Sequence, residues 1–244
     1  MKIVVIGETC KDVFVYGDSN RLSPEAPVPV FTPVEITKNP GMSGNVIENL
    51  KSMNKSADVV GRNQTEIITK TRYVDKKTNH MFIRVDENDT AERIFLNNST
   101  TNLIRNSDIV VVSDYDKGFL TLEDLKFIGE NSKISILDSK KVLTEEVINS
   151  FTFVKLNESE FKRNLHLTTC KNIIVTLGAK GCMFNDVIFN SPKPMETIDV
   201  SGAGDTFTSA FILKYYETKD VPSSIIYANE MASIVVSKRG VATP

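Results

Sequence analysis

A glycine-rich stretch near the C-terminus, DVSGAGDTF at 199–207, carries the residues of this chain that are best suited to chemistry. Gly202, Ala203 and Gly204 are small enough for backbone N–H groups to approach an anion closely, and the apolar periodicity that follows predicts a helix. The positive end of that helix favours a phosphate group. Asp205 falls in its first turn, where a carboxylate can take a proton from an attacking hydroxyl. The stretch indicates phosphoryl transfer, and the alternative is an aspartate that only stabilises the helix N-terminus.

A second polar cluster, NESE at 157–160, has two compatible interpretations. Asn157 followed three residues later by Glu160 is the spacing of a capping box at the start of a helix. Asparagine and glutamate also supply the hard oxygen ligands that Mg²⁺ prefers.

The elements that must position these residues form an α/β pattern. Short apolar runs that end in a polar residue or glycine alternate with helix-like stretches, which predicts a mostly parallel sheet with helices on both faces. Ligands of open α/β sheets lie beyond the carboxyl ends of the strands. The predicted strands are 2–7, 108–114, 133–138, 151–157 and 171–178, and the polar ends to inspect are Asp114, Asp138, Asn157 and Gly178.

Other segments alternate apolar and polar residues, as half-exposed strands do. They predict a small β flap assembled from about 13–35 and 68–97, within a single domain that spans 1–244. Helices are expected at 43–53, with Ser43 as N-cap, and at about 204–217 and 221–237. GCMFNDVIFN at 181–190 predicts a hairpin that turns at Asn185-Asp186.

The net charge, the length of the apolar runs and the cysteine and histidine counts exclude several classes of protein. The net charge is −2, which offers no global attraction to nucleic acid or to an anionic membrane, and no apolar run approaches a membrane span. Three cysteines without CxxC spacing and two distant histidines argue against a His/Cys metal site. We expect reduced thiols in a cytoplasmic protein.

The chain resembles the ribokinase-like (PfkB) carbohydrate kinases. Six segments match in the family's order: PGMSGN (40–45), SDYDKG (113–118), NESE (157–160), VTLGAKG (175–181), DVSGAGDTF (199–207) and ANEMASIVVSKRGVAT (228–243). The resemblance covers nearly the whole chain. It implies a three-layer ribokinase-like fold with a β lid and transfer of the γ-phosphoryl group of ATP to a sugar hydroxyl.

The resemblance also implies roles at matching positions. Asp205 is the general base, and the backbone of Gly202, Ala203 and Gly204 binds the transferred phosphoryl group. ATP and Mg²⁺ are the implied cofactors, with Asn157 and Glu160 organising Mg²⁺ through water. The remaining positions are Asp12, Gly41 and Asn45 for the sugar, and Thr176, Gly178, Gly181 and Asn229 for the nucleotide.

Within the family, RLSPEAPVPV (21–30) resembles a segment of the heptose 7-phosphate kinases, which act in ADP-heptose synthesis for lipopolysaccharide. These enzymes phosphorylate the anomeric hydroxyl of a sugar that already carries a phosphate, so the substrate needs extra cations. We expect these to be Arg21, Lys117 and Lys140, with Arg84 as a weaker candidate.

Several departures from the family keep alternatives open. The chain is shortened after ADVVGRN (57–63) and between Asn157 and Asn172, and its Gly-Gly-Ala-Ala-Asn pattern is altered at 41–45. A kinase for a fructose- or ribose-like sugar, or a non-catalytic relative that binds sugar or nucleotide, are the alternatives. Exposed strand edges in the flap predict a homodimer through the lid.

Overall fold

The structure is a computed structural model that describes residues 1–167, 170–192, 200–238 and 242–244. Twelve strands and seven α-helices are present in these residues. The strands are β1 (Lys2–Gly7), β2 (Thr9–Leu22), β3 (Pro29–Met42), β4 (Asp58–Arg62), β5 (Ile68–Asp75), β6 (Met81–Glu87), β7 (Ile109–Asp114), β8 (Ser135–Ser139), β9 (Phe153–Asn157), β10 (Ile173–Thr176), β11 (Cys182–Phe184) and β12 (Val187–Phe189). The helices are α1 (Ser43–Met53), α2 (Asn98–Arg105), α3 (Leu122–Glu130), α4 (Glu145–Ser150), α5 (Glu158–Arg163), α6 (Ala203–Thr218) and α7 (Val221–Val235).

The main sheet has eight strands in the order β12-β11-β10-β9-β8-β7-β1-β4. Neighbouring strands from β4 to β10 in this order are parallel. The pairs β10–β11 and β11–β12, at the other end of the sheet, are antiparallel. Each apolar run predicted as a buried strand overlaps one of these strands, and helices cover both faces. The predicted α/β fold with a mostly parallel central sheet is therefore confirmed.

Alternate residues of the central strands pack into two separate cores. In β1, Ile3 and Val5 belong to the core under α1, α6 and α7, whereas Val4 and Ile6 belong to the core under α3 and α4. All four side chains are essentially inaccessible to solvent. Burial on both faces explains why these strands are continuously apolar.

A second sheet of four strands, in the order β3-β2-β5-β6, forms what we call the lid. Its first part extends further than the predicted 13–35, because β2 begins at Thr9 and pairs with β3 as far as Met42. Its second part ends at Glu87 and not near 97. After Glu87 the backbone forms hydrogen bonds outside the lid, because the amides of Ala91 and Ile94 donate to the carbonyls of Lys117 and Phe119.

Local details agree with the sequence except at one helix start. The β11–β12 hairpin turns at Asn185-Asp186, both with positive φ, as a type I′ turn requires. Ser43 is not the N-cap of α1, because Met42 holds that position and the Ser43 hydroxyl donates to the Gly7 carbonyl instead. None of the helices in the described ranges has the length and apolar composition of a membrane span.

Candidate active site

The first turn of α6 sits at the carboxyl ends of the parallel strands. Gly202 is its N-cap with φ 81°, a left-handed conformation that a residue without Cβ adopts at no steric cost. Among the residues that the structure describes, no side chain caps this helix end. The early amides of a helix have no partner within the helix, so this turn presents donors that an anion can use.

Asp205 lies in that first turn and is 6% exposed. Its Oδ2 accepts a hydrogen bond of 2.8 Å from Asn45 Nδ2, and its Oδ1 accepts one of 3.2 Å from the Tyr115 hydroxyl. Burial raises the pKa of Asp205 to about 6. Burial and the Asp205 charge raise the pKa of Tyr115, so the phenol stays protonated and can donate. Tyr115 was not predicted as a site residue, although the SDYDKG motif that contains it was matched to the family.

Three adjoining cavities meet around this turn. A cavity of about 350 Å³ lies under the lid, one of about 750 Å³ lies over the strand ends, and one of about 270 Å³ lies between α6 and α7. The first two share Tyr115, Gly202 and Asp205. The last two share Thr176, Gly178 and Gly204, with Ala203 lining the smallest cavity. Asp205 thus stands at the boundary between the lid cavity and a larger cleft.

The lid cavity contains most of the predicted sugar-side residues. Asp12, Gly41, Asn45, Lys117 and Arg84 all line it. A Cβ on Gly41 would lie 2.4 Å from Asp12 Oδ2, so only glycine leaves the aspartate in place.

Two cations that the sequence analysis missed, Lys70 and Arg72, complete this wall. They stand two residues apart on β5 and therefore point to the same side of the lid. Arg72 pairs with Asp12, and Lys70 Nζ lies 3.6 Å from Asp89 Oδ1.

Two predicted phosphate ligands lie away from the lid cavity. Arg21 is exposed near the far end of β2 and pairs across the hairpin with Val30, because the segment 21–31 forms the tip of the lid. It lies nine positions further along β2 than Asp12, which corresponds to at most about 30 Å of strand. Lys140 lines the cleft over the strand ends, where its ammonium group pairs with Glu160 and lies 5.3 Å from the centre of the Tyr115 ring. Although burial opposes it, Asp138 and Glu160 raise the pKa of Lys140, which stays charged.

The NESE segment forms the reciprocal capping box of α5. Asn157 Oδ1 accepts from the Glu160 amide at 2.8 Å, and Glu160 Oε2 accepts from the Asn157 amide at 2.7 Å. The other oxygen of Glu160 pairs with Lys140, and the residue is 2% exposed. Direct ligation of Mg²⁺ by Glu160 does not fit this arrangement. Asn157 lines the cleft, and its water-mediated role stays a prediction.

The smallest cavity contains the predicted nucleotide residues. Thr176, Gly178, Gly181 and Asn229 line it, and Asn229 Nδ2 is fixed by the Phe189 carbonyl at 3.0 Å. The rest of the wall is largely apolar, which suits a flat aromatic base. Its apolar members are Ala179, Val200, Ala203, Phe207, Ala232 and Val236.

The loop that carries Tyr115 and Lys117 is held by Glu8, a residue that the sequence analysis did not single out. Glu8 is fully buried, and its carboxylate accepts hydrogen bonds from the amides of Tyr115 (2.8 Å), Lys117 (2.9 Å) and Phe119 (3.4 Å). A buried carboxylate that satisfies three amides fixes the path of a loop that has no regular structure. Glu8 therefore fixes the backbone that carries Tyr115, which donates to Asp205, and Lys117, which lines the lid cavity.

We expect Glu8→Gln to lower the free energy of unfolding by about 2 kcal/mol, because a charged acceptor is lost and an amide N–H₂ faces backbone donors. Urea denaturation followed by circular dichroism measures this change. Glu48→Gln, in an α1 side chain that is 51% exposed, should leave the midpoint unchanged. Equal stability of the Glu8 and Glu48 variants would contradict the loop-fixing role.

Comparisons with known proteins agree with this geometry. The family model described as "pfkB family carbohydrate kinase" matches residues 59–244, more than half of the chain. The bifunctional protein HldE of Nitratiruptor sp. is 29% identical over 295 residues, which cover 99% of this chain and 63% of the relative. HldE of Helicobacter pylori strain J99 is 29% identical over 296 residues, with 99% and 64% covered.

The chain thus spans less than two thirds of these curated relatives. At least 51 of the 295 aligned positions hold no residue of this chain, which has 244. That difference agrees with the predicted shortening.

Solved structures share the fold. Ribokinase of Thermotoga maritima superposes with a TM-score of 0.74 at 18% identity, covering 98% of this chain and 94% of the ribokinase. Arabidopsis thaliana ribokinase complexed with ribose and ATP gives a TM-score of 0.73 at 16% identity, covering 98% and 93%. At this identity the likeness concerns the fold alone, and it confirms the ribokinase-like architecture.

Proposed function

Because the chain belongs to the pfkB family of carbohydrate kinases, we propose that it is a phosphotransferase with an alcohol group as acceptor, which transfers the γ-phosphoryl group of ATP to a phosphorylated sugar. The acceptor that we favour is the anomeric hydroxyl of a heptose 7-phosphate.

One observation carries this proposal: Asp205 belongs to both the lid cavity and the cleft over the strand ends. A sugar in the lid cavity would place a hydroxyl beside the carboxylate. A nucleotide with its base between α6 and α7 would extend its phosphates along the cleft towards the first turn of α6. The donor and acceptor then meet at a buried base, which is the arrangement that phosphoryl transfer needs.

The chemistry follows from the contacts of Asp205. Its ionised carboxylate accepts the proton of the sugar hydroxyl as the hydroxyl oxygen attacks the γ-phosphorus. The bond between that phosphorus and the bridging oxygen of the β-phosphate breaks, and ADP leaves with the electron pair. Asn45 and Tyr115 hold the carboxylate by hydrogen bonds of 2.8 and 3.2 Å, which orients it before the substrates arrive.

The preference for a phosphorylated acceptor rests on the charge of the lid cavity. Lys70, Arg72, Arg84 and Lys117 line it together with Asp205. A neutral sugar needs hydrogen bonds but no such group of cations. The resemblance of residues 21–30 to heptose 7-phosphate kinases supports the heptose specifically, although Arg21 itself lies outside the cavity in this chain.

The test is an assay of ADP release with heptose 7-phosphate, heptose, fructose, fructose 6-phosphate and ribose. We expect the highest kcat/KM with heptose 7-phosphate. If ribose or fructose instead had the highest kcat/KM, that sugar would replace the heptose as the proposed acceptor. Binding of sugar or nucleotide in calorimetry without turnover of any sugar would identify a non-catalytic relative.

The lid also supports the proposed homodimer. The strand register places Ile36 and Ile83 in one row across the sheet, on the face opposite to Arg72 and Arg84. Each of these isoleucines is 56% exposed, and exposed apolar sheet faces are typical of association surfaces.

We expect the protein to sediment at twice the chain mass at micromolar concentration and the Ile36→Glu/Ile83→Glu variant to sediment as a monomer. Analytical ultracentrifugation measures both. Ile226→Glu, at a 52% exposed position of α7, is the matched control and should stay dimeric. A monomeric wild-type protein would refute the lid dimer.

A further inference from the structure

A buried ion pair lies on the sheet face that α6 covers. Asp138 of β8 and Lys155 of β9 are register partners in adjacent parallel strands, so their side chains stand side by side. Lys155 Nζ lies 2.7 Å from Asp138 Oδ2, and the two side chains are 4% and 9% exposed. Withdrawing two charges from water is costly, and apolar residues of similar volume would pack this face at least as well. The pair therefore calls for a role beyond stability.

Its position supplies one. Both residues line the cleft over the strand ends, together with Gly202, Gly204 and Asp205. The Lys155 ammonium group lies directly beside the first turn of α6, because a Cβ placed on Gly204 would be only 3.2 Å from Nζ. The amides of this turn and the ammonium group thus border the same part of the cleft.

Other lysines of the cleft are placed differently. The side chain of Lys140 is 34% exposed and pairs with Glu160, and that of Lys162 is 67% exposed and pairs with Glu158 on the surface of α5. The Lys155 side chain, at 4%, is the most buried of the three. A fixed charge in a site shielded from water stabilises developing negative charge far more than a mobile surface lysine does.

We propose that Lys155, oriented by Asp138, is a phosphoryl-binding residue that stabilises the γ-phosphoryl group during its transfer across the first turn of α6. The inference rests on the proposed kinase activity and assigns a residue within that site. In the free protein Asp138 balances the charge of Lys155. When ATP binds, the ammonium group shares its hydrogen bonds with an equatorial oxygen of the γ-phosphoryl group. It thereby adds a cation where charge accumulates.

The first test removes the ion pair without leaving a buried charge. Lys155→Met/Asp138→Leu should fold, because an apolar pair replaces an ionic one. We expect its kcat to fall about 100-fold, as for the loss of one transition-state donor, with the sugar KM within about threefold. Lys126→Met, on the surface of α3, is the control and should keep wild-type kcat. A folded double variant with wild-type kcat would overturn the inference.

The second test uses the pH dependence of kcat/KM, which a purely structural role would not move. Besides burial, both members of the pair influence the pKa of Asp205: the Asp138 charge raises it and the Lys155 charge lowers it. The fall of kcat/KM at low pH, which we call the acidic limb, reports the protonation of Asp205. Lys155→Met should move this limb to higher pH, and Asp138→Asn should move it to lower pH. A limb that stays in place in both variants would overturn the inference. The titratable and charged groups that face Asp205 from the surrounding elements are Cys10, Tyr115, Asp138, Lys140 and Lys155.

A third measurement separates this inference from the proposed function. Calorimetry with ADP and aluminium fluoride, a planar mimic of the transferred group, requires no turnover. Lys155→Met should bind this mixture at least about tenfold more weakly than wild type, and ADP alone equally well. Equal binding of the mixture refutes the role of Lys155 alone, whereas a wild-type protein that turns over no sugar refutes the kinase assignment.

Discussion

Asp205→Asn is expected to lower kcat about 1,000-fold while leaving the affinity for a non-hydrolysable ATP analogue within about threefold of wild type. The asparagine keeps the shape of the side chain and can still accept the Asn45 hydrogen bond, so the site should stay assembled. It cannot take the proton of the sugar hydroxyl. Steady-state kinetics with the best acceptor sugar and calorimetry with the analogue measure the two effects.

The same residue sets the pH dependence of the wild-type protein. Since burial raises the pKa of Asp205 to about 6, kcat/KM should be level above that pH and fall below it, as the carboxyl group becomes protonated. Asp58→Asn, at an exposed position of β4, is the matched control and should keep both kcat and the pH profile. If Asp205→Asn kept more than a tenth of wild-type kcat, another group would have to be the base.

The sequence predicts the scaffold of the site well because the scaffold depends on local patterns. Continuous apolar runs such as KIVVIG can be buried on both faces only in a covered parallel sheet. The glycines before Asp205 indicate a helix start at the strand ends, and α6 begins there at Ala203. Both features are determined by a few consecutive residues, so a single sequence is enough to find them.

The contacts that complete the site join residues distant in sequence, and spacing alone does not reveal them. Tyr115 reaches Asp205 across 90 positions, and Glu8 holds the Tyr115 loop across 107. Lys70 and Arg72 could have been found, since a period of two on a strand places both on one face. The prediction of Arg21 follows from the resemblance of the segment 21–30 to heptose 7-phosphate kinases, but β2 extends to Leu22 and carries Arg21 to the tip of the lid.

The lid therefore has two chemically different faces in one sheet. The row that contains Arg72 and Arg84 faces the cavity, and the row that contains Ile36 and Ile83 lies on the opposite face. A one-residue shift in register would exchange the two rows and place the cations outside the site. The pairing of β5 with β2 and β6 accordingly decides which side chains line the lid cavity.

The charge of the lid cavity leads to the second large effect. Lys117→Met/Arg84→Met should lower kcat/KM for heptose 7-phosphate about 1,000-fold, since each charged hydrogen bond contributes about 1.5–3 kcal/mol. For unphosphorylated heptose the change should stay within about threefold. Neither substitution removes the Arg72–Asp12 pair, so that part of the cavity wall is kept. Steady-state kinetics of the wild type and the variant with both sugars measure the loss of kcat/KM for each sugar.

The comparison between the two sugars decides what these cations do. In the free protein Lys117 pairs with Asp89, and Arg84 Nε lies 2.9 Å from Asp86 Oδ1, so both cations are held in place before substrate arrives. A phosphate would compete with these carboxylates, and only a phosphorylated substrate would lose affinity when the cations are removed. Lys76→Met, elsewhere on the lid, is the control and should affect neither sugar. Equal losses with both sugars would show that Lys117 and Arg84 maintain the lid and do not recognise a phosphate.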